Sequence, residues 1–162
     1  MSTTMDRPRA QTDRGNELLS IRLGGQEFAI NIMAIREIRG WVAATHLPQA
    51  PSYILGMINL RGIVLVVIDL AQRLGLGGRE PTPASVIVVV EANGRVVGLL
   101  VDEVCDIITV TDAMRQETPS IERGSSQDFI EGLVMIEERI ISVIAINAVV
   151  PNEVAVDEFR GA

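Results

Sequence analysis

Three carboxylates, Asp102, Glu103 and Asp106, fall within five positions of VDEVCDI, with Cys105 between them. Such a group could serve acid/base catalysis or hold a hard cation. Acid/base pairs, however, need surroundings that split two pKa values, and the glycine and terminal glutamate of a calcium loop are absent. A solvated acidic edge is the simpler reading. Cys105 has no basic neighbour in sequence to lower its pKa, so it reads as packing in a short helical or bent segment. His46, the only histidine, lies in the turn-like ATHLPQAP and lacks the nucleophile or co-ligands that a triad or zinc site requires. An enzyme working through Asp102, Glu103 or Asp69 would find neither a nucleophile nor a metal set beside them.

Composition narrows the classes further. All 14 basic residues are arginine against 21 acidic ones, which leaves a net charge of -7. An acidic chain with 3% aromatics has neither the positive footprint nor the stacking platforms of a nucleic-acid binder. The lack of lysine also removes the P-loop lysine and Schiff-base chemistry, while Gly24-Gly25 and the Gly75 to Gly78 stretch read as turns and form no G-x-G-x-x-G. No cofactor is implied. One cysteine cannot form an internal disulfide, so a reducing, cytoplasmic setting is expected. No apolar run reaches the roughly 18 residues that a membrane-spanning helix needs.

The elements that would carry any site are short and apolar. Residues 1–17 read as a disordered tail and 151–162 as a second tail or a short helix. Between them, valine-rich runs flank Asn93-Gly94, the pattern of a tight hairpin. The segment LGGREPTPAS, Leu76 to Ser85, is rich in glycine and proline and suits a connection between lobes. The two sides of that connection repeat each other. YILGMINLRGIVLVVIDL (Tyr53 to Leu70) overlays FIEGLVMIEERIISVIAI (Phe129 to Ile146) without a gap at an offset of 76 residues. FAINIMAIREI (Phe28 to Ile38) overlays VGLLVDEVCDI (Val97 to Ile107) at an offset of 69, so the second unit has gained seven residues, placed in TDAMRQETPSIERGSS. Two copies of a unit of about five strands predict an all-β fold of two small barrels, either interleaved or consecutive at roughly 18–80 and 86–146.

Several strands, among them Ile63 to Ile68, Val86 to Val90 and Ile140-Ile141, are apolar on both faces. An outer apolar face must be covered, by the sister lobe or by another molecule. Asn31 with Ile32, Ile35 and Ile38 reads as a capped two-turn helix carrying Arg36, Glu37 and Arg39 outside. Arg61-Gly62 interrupts the oiliest stretch and reads as a hairpin tip, with Gly62 taking the positive φ and Arg61 held outward by its strands. In the other unit Glu137-Glu138 stands opposite, so the fold alone does not call for the arginine.

Taken in order, REIRGW (Arg36 to Trp41), YILGMINLRGIVLVVIDLAQRLGL (Tyr53 to Leu76), RVVGLLVDEVCDI (Arg95 to Ile107) and the final FIEGLVMIEERIISVIAI resemble the CheW-type adaptor proteins of bacterial chemotaxis, over roughly residues 18–150. The chain departs from the family at Val66, where proline is common, and at Ala71, where arginine is common. The resemblance implies two SH3-like five-stranded barrels in a pseudo-twofold arrangement with short helices, and no enzymatic activity. It implies that the protein couples the cytoplasmic tip of chemoreceptors, lying in an apolar groove between the lobes, to the regulatory domain of a CheA-type histidine kinase. The protein would then be cytoplasmic and recruited to receptor arrays at the membrane, without inserting into it. The positions carried over are Ile35, Glu37, Ile38, Arg39, Gly56, Arg61, Gly62 and Val64 in the first half and Gly98, Val104 and Ile107 in the second. A self-associating structural module is the alternative.

Overall fold

The computed structural model describes residues 16–78, 80–116 and 129–151. Most of the expected N-terminal tail, most of the C-terminal tail and the later part of the TDAMRQETPSIERGSS segment, residues 117–126, lie outside them. Glu17 already belongs to the first strand.

Among the described residues eleven strands run in chain order: β1 Glu17–Leu23, β2 Gln26–Asn31, β3 Ile35–Gly40, β4 Ile54–Leu60, β5 Ile63–Asp69, β6 Val86–Ala92, β7 Arg95–Val101, β8 Glu103–Thr109, β9 Arg115–Gln116, β10 Ile130–Ile136 and β11 Arg139–Ile144. Two four-residue helices follow β5 and β11, α1 at Leu70–Arg73 and α2 at Ile146–Val149. The repeat maps strand on strand. β1, β2 and β3 correspond to β6, β7 and β8 at the offset of 69, whereas β4, β5 and α1 correspond to β10, β11 and α2 at 76. Thirteen residues separate β3 from β4 and twenty separate β8 from β10, which locates the seven-residue gain between the last two.

The units do not fold side by side. One sheet has the order β3-β6-β7-β5-β4 and the other β8-β1-β2-β11-β10-β9. Each lobe therefore takes strands from both repeats, and a division into 18–80 and 86–146 does not separate the sheets. The chain crosses from one sheet to the other at Ile32–Ala34, a 3-10 turn, and again at Asp102. Hydrophobic pattern specifies which face a strand buries, but it is silent on which strand becomes its neighbour.

Two-sided apolarity has a direct cause in this arrangement. On β5, Leu65 and Val67 fill the barrel interior with Ile87, Val89 and Leu100. Their alternates Val66 and Ile68 face a larger cluster shared by the lobes, together with Leu19, Ile21, Ile30, Val88, Val90 and Ile144. The second barrel has its own interior of Leu18, Ala29, Val110, Val134, Ile141 and Val143. The shared cluster holds 22 buried side chains against seven and six in the two interiors, so the lobes form one folding unit. At about 2 kcal/mol per buried aliphatic side chain, most of the driving force lies between the lobes.

Two local expectations are corrected. Asn31 does act as a cap, its Oδ1 accepting from the Met33 backbone N–H at 2.8 Å, but the turn ends at Ala34 and Ile35 begins a strand. The spacing of Ile32, Ile35 and Ile38 imitates a helical stripe. In β3, however, Ile35 is partly covered and Ile38 exposed, because β-branched residues beside the open edge of β6 gain a hydrogen-bonded partner strand that outweighs the period. Cys105 likewise lies within β8 and not in a helical or bent segment.

Candidate interaction site

The β4–β5 hairpin turns at Arg61-Gly62, with φ of 53° and 86°, both in the left-handed region. Such a two-residue turn matches the twist of its strands. The Asn59 side chain steadies the tip by accepting from the Gly62 N–H at 2.8 Å. Arg61 is not held free of the fold: its guanidinium reaches Glu37 on β3, with Nη2 to Oε1 at 2.5 Å and Nη1 to Oε2 at 3.5 Å. β3 and β4 are opposite edges of the five-stranded sheet, so this pair draws the open sheet toward a closed barrel. Arg39 adds a second cation 3.6 Å from Glu37. The hydrogen bond from Arg61 is the main reason that the Glu37 carboxyl is held below the usual glutamate range; partial burial opposes it, and the charges of Arg61 and Arg39 reinforce it. Reciprocally, Glu37 raises the already high pKa of Arg61.

The equivalent positions in the other lobe are Asp106 and Glu137. Both are exposed, and two acids stand where the first lobe has an ion pair. The lobes thus share a shape but not a charge.

Two pairs of exposed apolar residues do obey the repeat. Ile38 and Ile107 correspond at the offset of 69 and are 45% and 60% exposed; Val64 and Ile140 correspond at 76 and are 60% and 61% exposed. Ile63 beside Val64 and Met135 on β10 extend these patches. Ile35 and Val104, also a repeat pair, are partly covered and pack on the shared cluster. Close to this seam, a cavity of about 330 Å³ between the lobes is lined by Asn31, Met33, Glu91, Glu131, Ile144 and Asn147. Its lining is mixed, not purely apolar, with Met33 largely exposed at its mouth.

The glycines carried over from the resemblance serve the backbone. A Cβ on Gly56 would lie 2.3 Å from the Thr45 carbonyl oxygen, because Thr45 and the neighbouring Met57 exchange backbone hydrogen bonds of 2.7 and 2.8 Å. Gly98 is buried in mid-sheet, where a Cβ would meet Ile87 Cγ2 at 2.8 Å. Neither presents a side to a partner, whereas Gly62 stands at the exposed tip.

Of the carboxylates first considered, Asp106 is exposed on β8 and the others have structural tasks. Asp102 accepts from the Gly24 N–H at 2.8 Å, Glu103 pairs with Arg22 at 3.5 Å, and buried Asp69 caps α1 through the Gln72 N–H at 3.3 Å. His46 is exposed on the β3–β4 connection. Among the described residues no three His, Cys, Asp or Glu side chains gather as a metal set, and no helix is long and apolar enough to cross a membrane.

Met33, Met135 and the exposed ends of Ile63 and Ile140 were not individually marked by the sequence. The two-sided runs pointed toward the last two, but what stays uncovered depends on how the lobes interleave.

Two interleaved small barrels with repeated apolar patches on their outer surfaces define a protein-interaction module. Residues 17–154 match the CheW-like domain, and the chain belongs to that family. It is 50% identical to the chemotaxis protein CheW of Rhizobium meliloti over 142 residues, 88% of this chain and 92% of that one. With the CheW of Bacillus subtilis it shares 34% identity over 144 residues, 89% of this chain and 92% of the relative. The crystal structure of the scaffolding protein TtCheW from Thermoanaerobacter tengcongensis superimposes with a TM-score of 0.78 at 28% identity, covering 88% of this chain and 93% of that one. The protein is a chemotaxis adaptor.

Proposed function

We propose that this adaptor is non-enzymatic and couples the cytoplasmic tip of chemoreceptors to the regulatory domain of a CheA-type histidine kinase. Recruitment to receptor arrays then follows from those contacts. The observation that carries the reading is the pairing of exposed apolar residues under the repeat, Ile38 with Ile107 and Val64 with Ile140. Exposed aliphatic residues grouped into patches, as Val64 is with Ile63, mark surfaces that a partner covers. A rigid body with two such patches suits a scaffold that holds two partners at once.

We assign the seam bordered by Ile35 and Val104 to the receptor and the lobe patches around Ile38, Val64 and Ile107 to the kinase's regulatory domain. Glu37, Arg39 and Arg61 set orientation at the rim, because charges there govern register more than affinity. Gly56, Gly62 and Gly98 keep the backbone that presents these groups. Reconstitution of a receptor fragment with a CheA-type kinase tests the function: added protein raises receptor-controlled ATP turnover, and no change would count against it.

Ile38 and Ile107 lie on the edge strands β3 and β8, which favours a second reading, self-association through strand edges. Light scattering on the isolated protein separates the two: a monomer favours the adaptor, and a defined oligomer favours self-association.

A further inference from the structure

Arg73, the last residue of α1, occupies a place that the interaction surface does not explain. Its guanidinium carbon lies 4.3 Å from the centre of the Tyr53 ring and 4.8 Å from that of Phe129. Tyr53 and Phe129 directly precede β4 and β10 and are counterparts under the repeat, so one cation is held between two equivalent rings from different lobes. Its Nε donates to the Val149 carbonyl at 2.9 Å and its Nη2 to Ala148 at 3.5 Å, satisfying the free carbonyls at the end of α2. Val149 is itself the counterpart of Arg73, so the pseudo-twofold axis passes between the two residues. A companion tie comes from Asn93 at the β6–β7 turn, whose Nδ2 donates to the carbonyls of Asn147 and Val150 at 3.1 and 3.2 Å.

The shared core already holds the lobes together, but apolar contact is non-directional and packed layers can slide by small shears. A planar cation fixed by two rings and two carbonyls is directional. We propose that Arg73 locks the relative orientation of the two lobes, and that transmission between the receptor-facing and kinase-facing surfaces depends on this lock. The second half rests on the adaptor reading above; the first does not. Arg73 acts as a positioning residue, since it touches neither exposed patch.

The test places spin labels on exposed sites of the two lobes, through Ala43→Cys and Glu138→Cys in a Cys105→Ser background, and measures the distance distribution with Arg73 intact and as Arg73→Met. The lock predicts one narrow distribution that broadens in the variant while thermal unfolding stays a single cooperative transition; an unchanged width overturns it. Phe129→Leu, which removes one ring only, is the milder variant should Arg73→Met fail to fold, and it must broaden the same distribution. In reconstituted signalling, Arg73→Met should keep separate affinities for a receptor fragment and a kinase regulatory domain, while the coupling between them falls by about fivefold or more. Broadening with full coupling overturns the second half of the proposal. Absence of coupling with the unaltered protein would instead strike at the adaptor reading and leave the distance result standing.

Discussion

Arg61 and Glu37 stand on opposite edges of one five-stranded sheet and meet through two hydrogen bonds, the shorter at 2.5 Å. The contact links the hairpin tip beside the exposed Ile63 and Val64 to the strand carrying Ile38. The arginine that interrupts an oily run therefore closes a barrel end and frames an apolar patch.

Reversing one charge should separate closure from stability. Arg61→Glu sets two carboxylates against each other, so the hairpin tip swings away from β3 and receptor-dependent ATP turnover by the kinase drops steeply. The melting temperature changes little, because exposed ion pairs contribute little to folding. Adding Glu37→Arg to Arg61→Glu restores the pair and with it much of the turnover; a double variant as inactive as the single one would show that Arg61 acts without Glu37.

Acid should disconnect the same pair late. The folded pKa of Glu37 lies below its unfolded value, so the stabilisation is complete above the ordinary glutamate range and disappears only as pH falls through the depressed value. Carboxyl chemical shifts followed by NMR should place the Glu37 midpoint lower in the unaltered protein than in Arg61→Gln. Equal midpoints would show that the hydrogen bond from Arg61 is not the cause.

Three glycine substitutions should rank by what the new Cβ meets. Gly56→Ala places it against backbone and costs about 3 kcal/mol or more, since a carbonyl held in a bridge cannot give way. Gly98→Ala meets the Cγ2 methyl of fully buried Ile87, side chain and not backbone, at about 2 kcal/mol. Gly62→Ala has open space around it but keeps a φ of +86°, for about 1 kcal/mol. Denaturant midpoints read this order directly, and a harmless Gly56→Ala would refute the close approach of Thr45.

Exposed and seam positions should differ in the opposite sense. Ile107→Asp leaves stability nearly unchanged because the side chain is already in water, yet weakens binding to the kinase's regulatory domain by roughly tenfold through desolvation of the new charge. Val104→Asp, packed on the shared core, weakens binding to the receptor fragment and also lowers the melting temperature. Calorimetric titration beside a melt distinguishes the two.

Much of this architecture is legible in the amino-acid sequence. The offsets of 69 and 76 place β2 and β3 on β7 and β8, and β4 and β5 on β10 and β11, because interior positions such as Leu65 and Ile141 must be filled alike in both barrels, whereas the match of β1 to β6 emerged only with the strands themselves. Strand exchange was not legible: Val66 pairs with Val97 and Val143 with Ala29, parallel contacts between repeats that alternation within a strand cannot encode. Arg61 could be singled out as a break in an apolar run, but its partner lies 24 residues away on a strand read as helix. The exposed repeat pairs Ile38 with Ile107 and Val64 with Ile140 needed both the offsets and the packed lobes to be recognised.

The central claim is that one rigid body joins receptor to kinase. Its most direct measurement is ATP turnover by a CheA-type kinase mixed with a receptor fragment, with this protein present, absent, or carrying Ile38→Asp with Ile107→Asp. The account predicts receptor-controlled turnover only with the unaltered protein, and loss of that control in a double variant that still folds. Equal turnover in all three mixtures would contradict it.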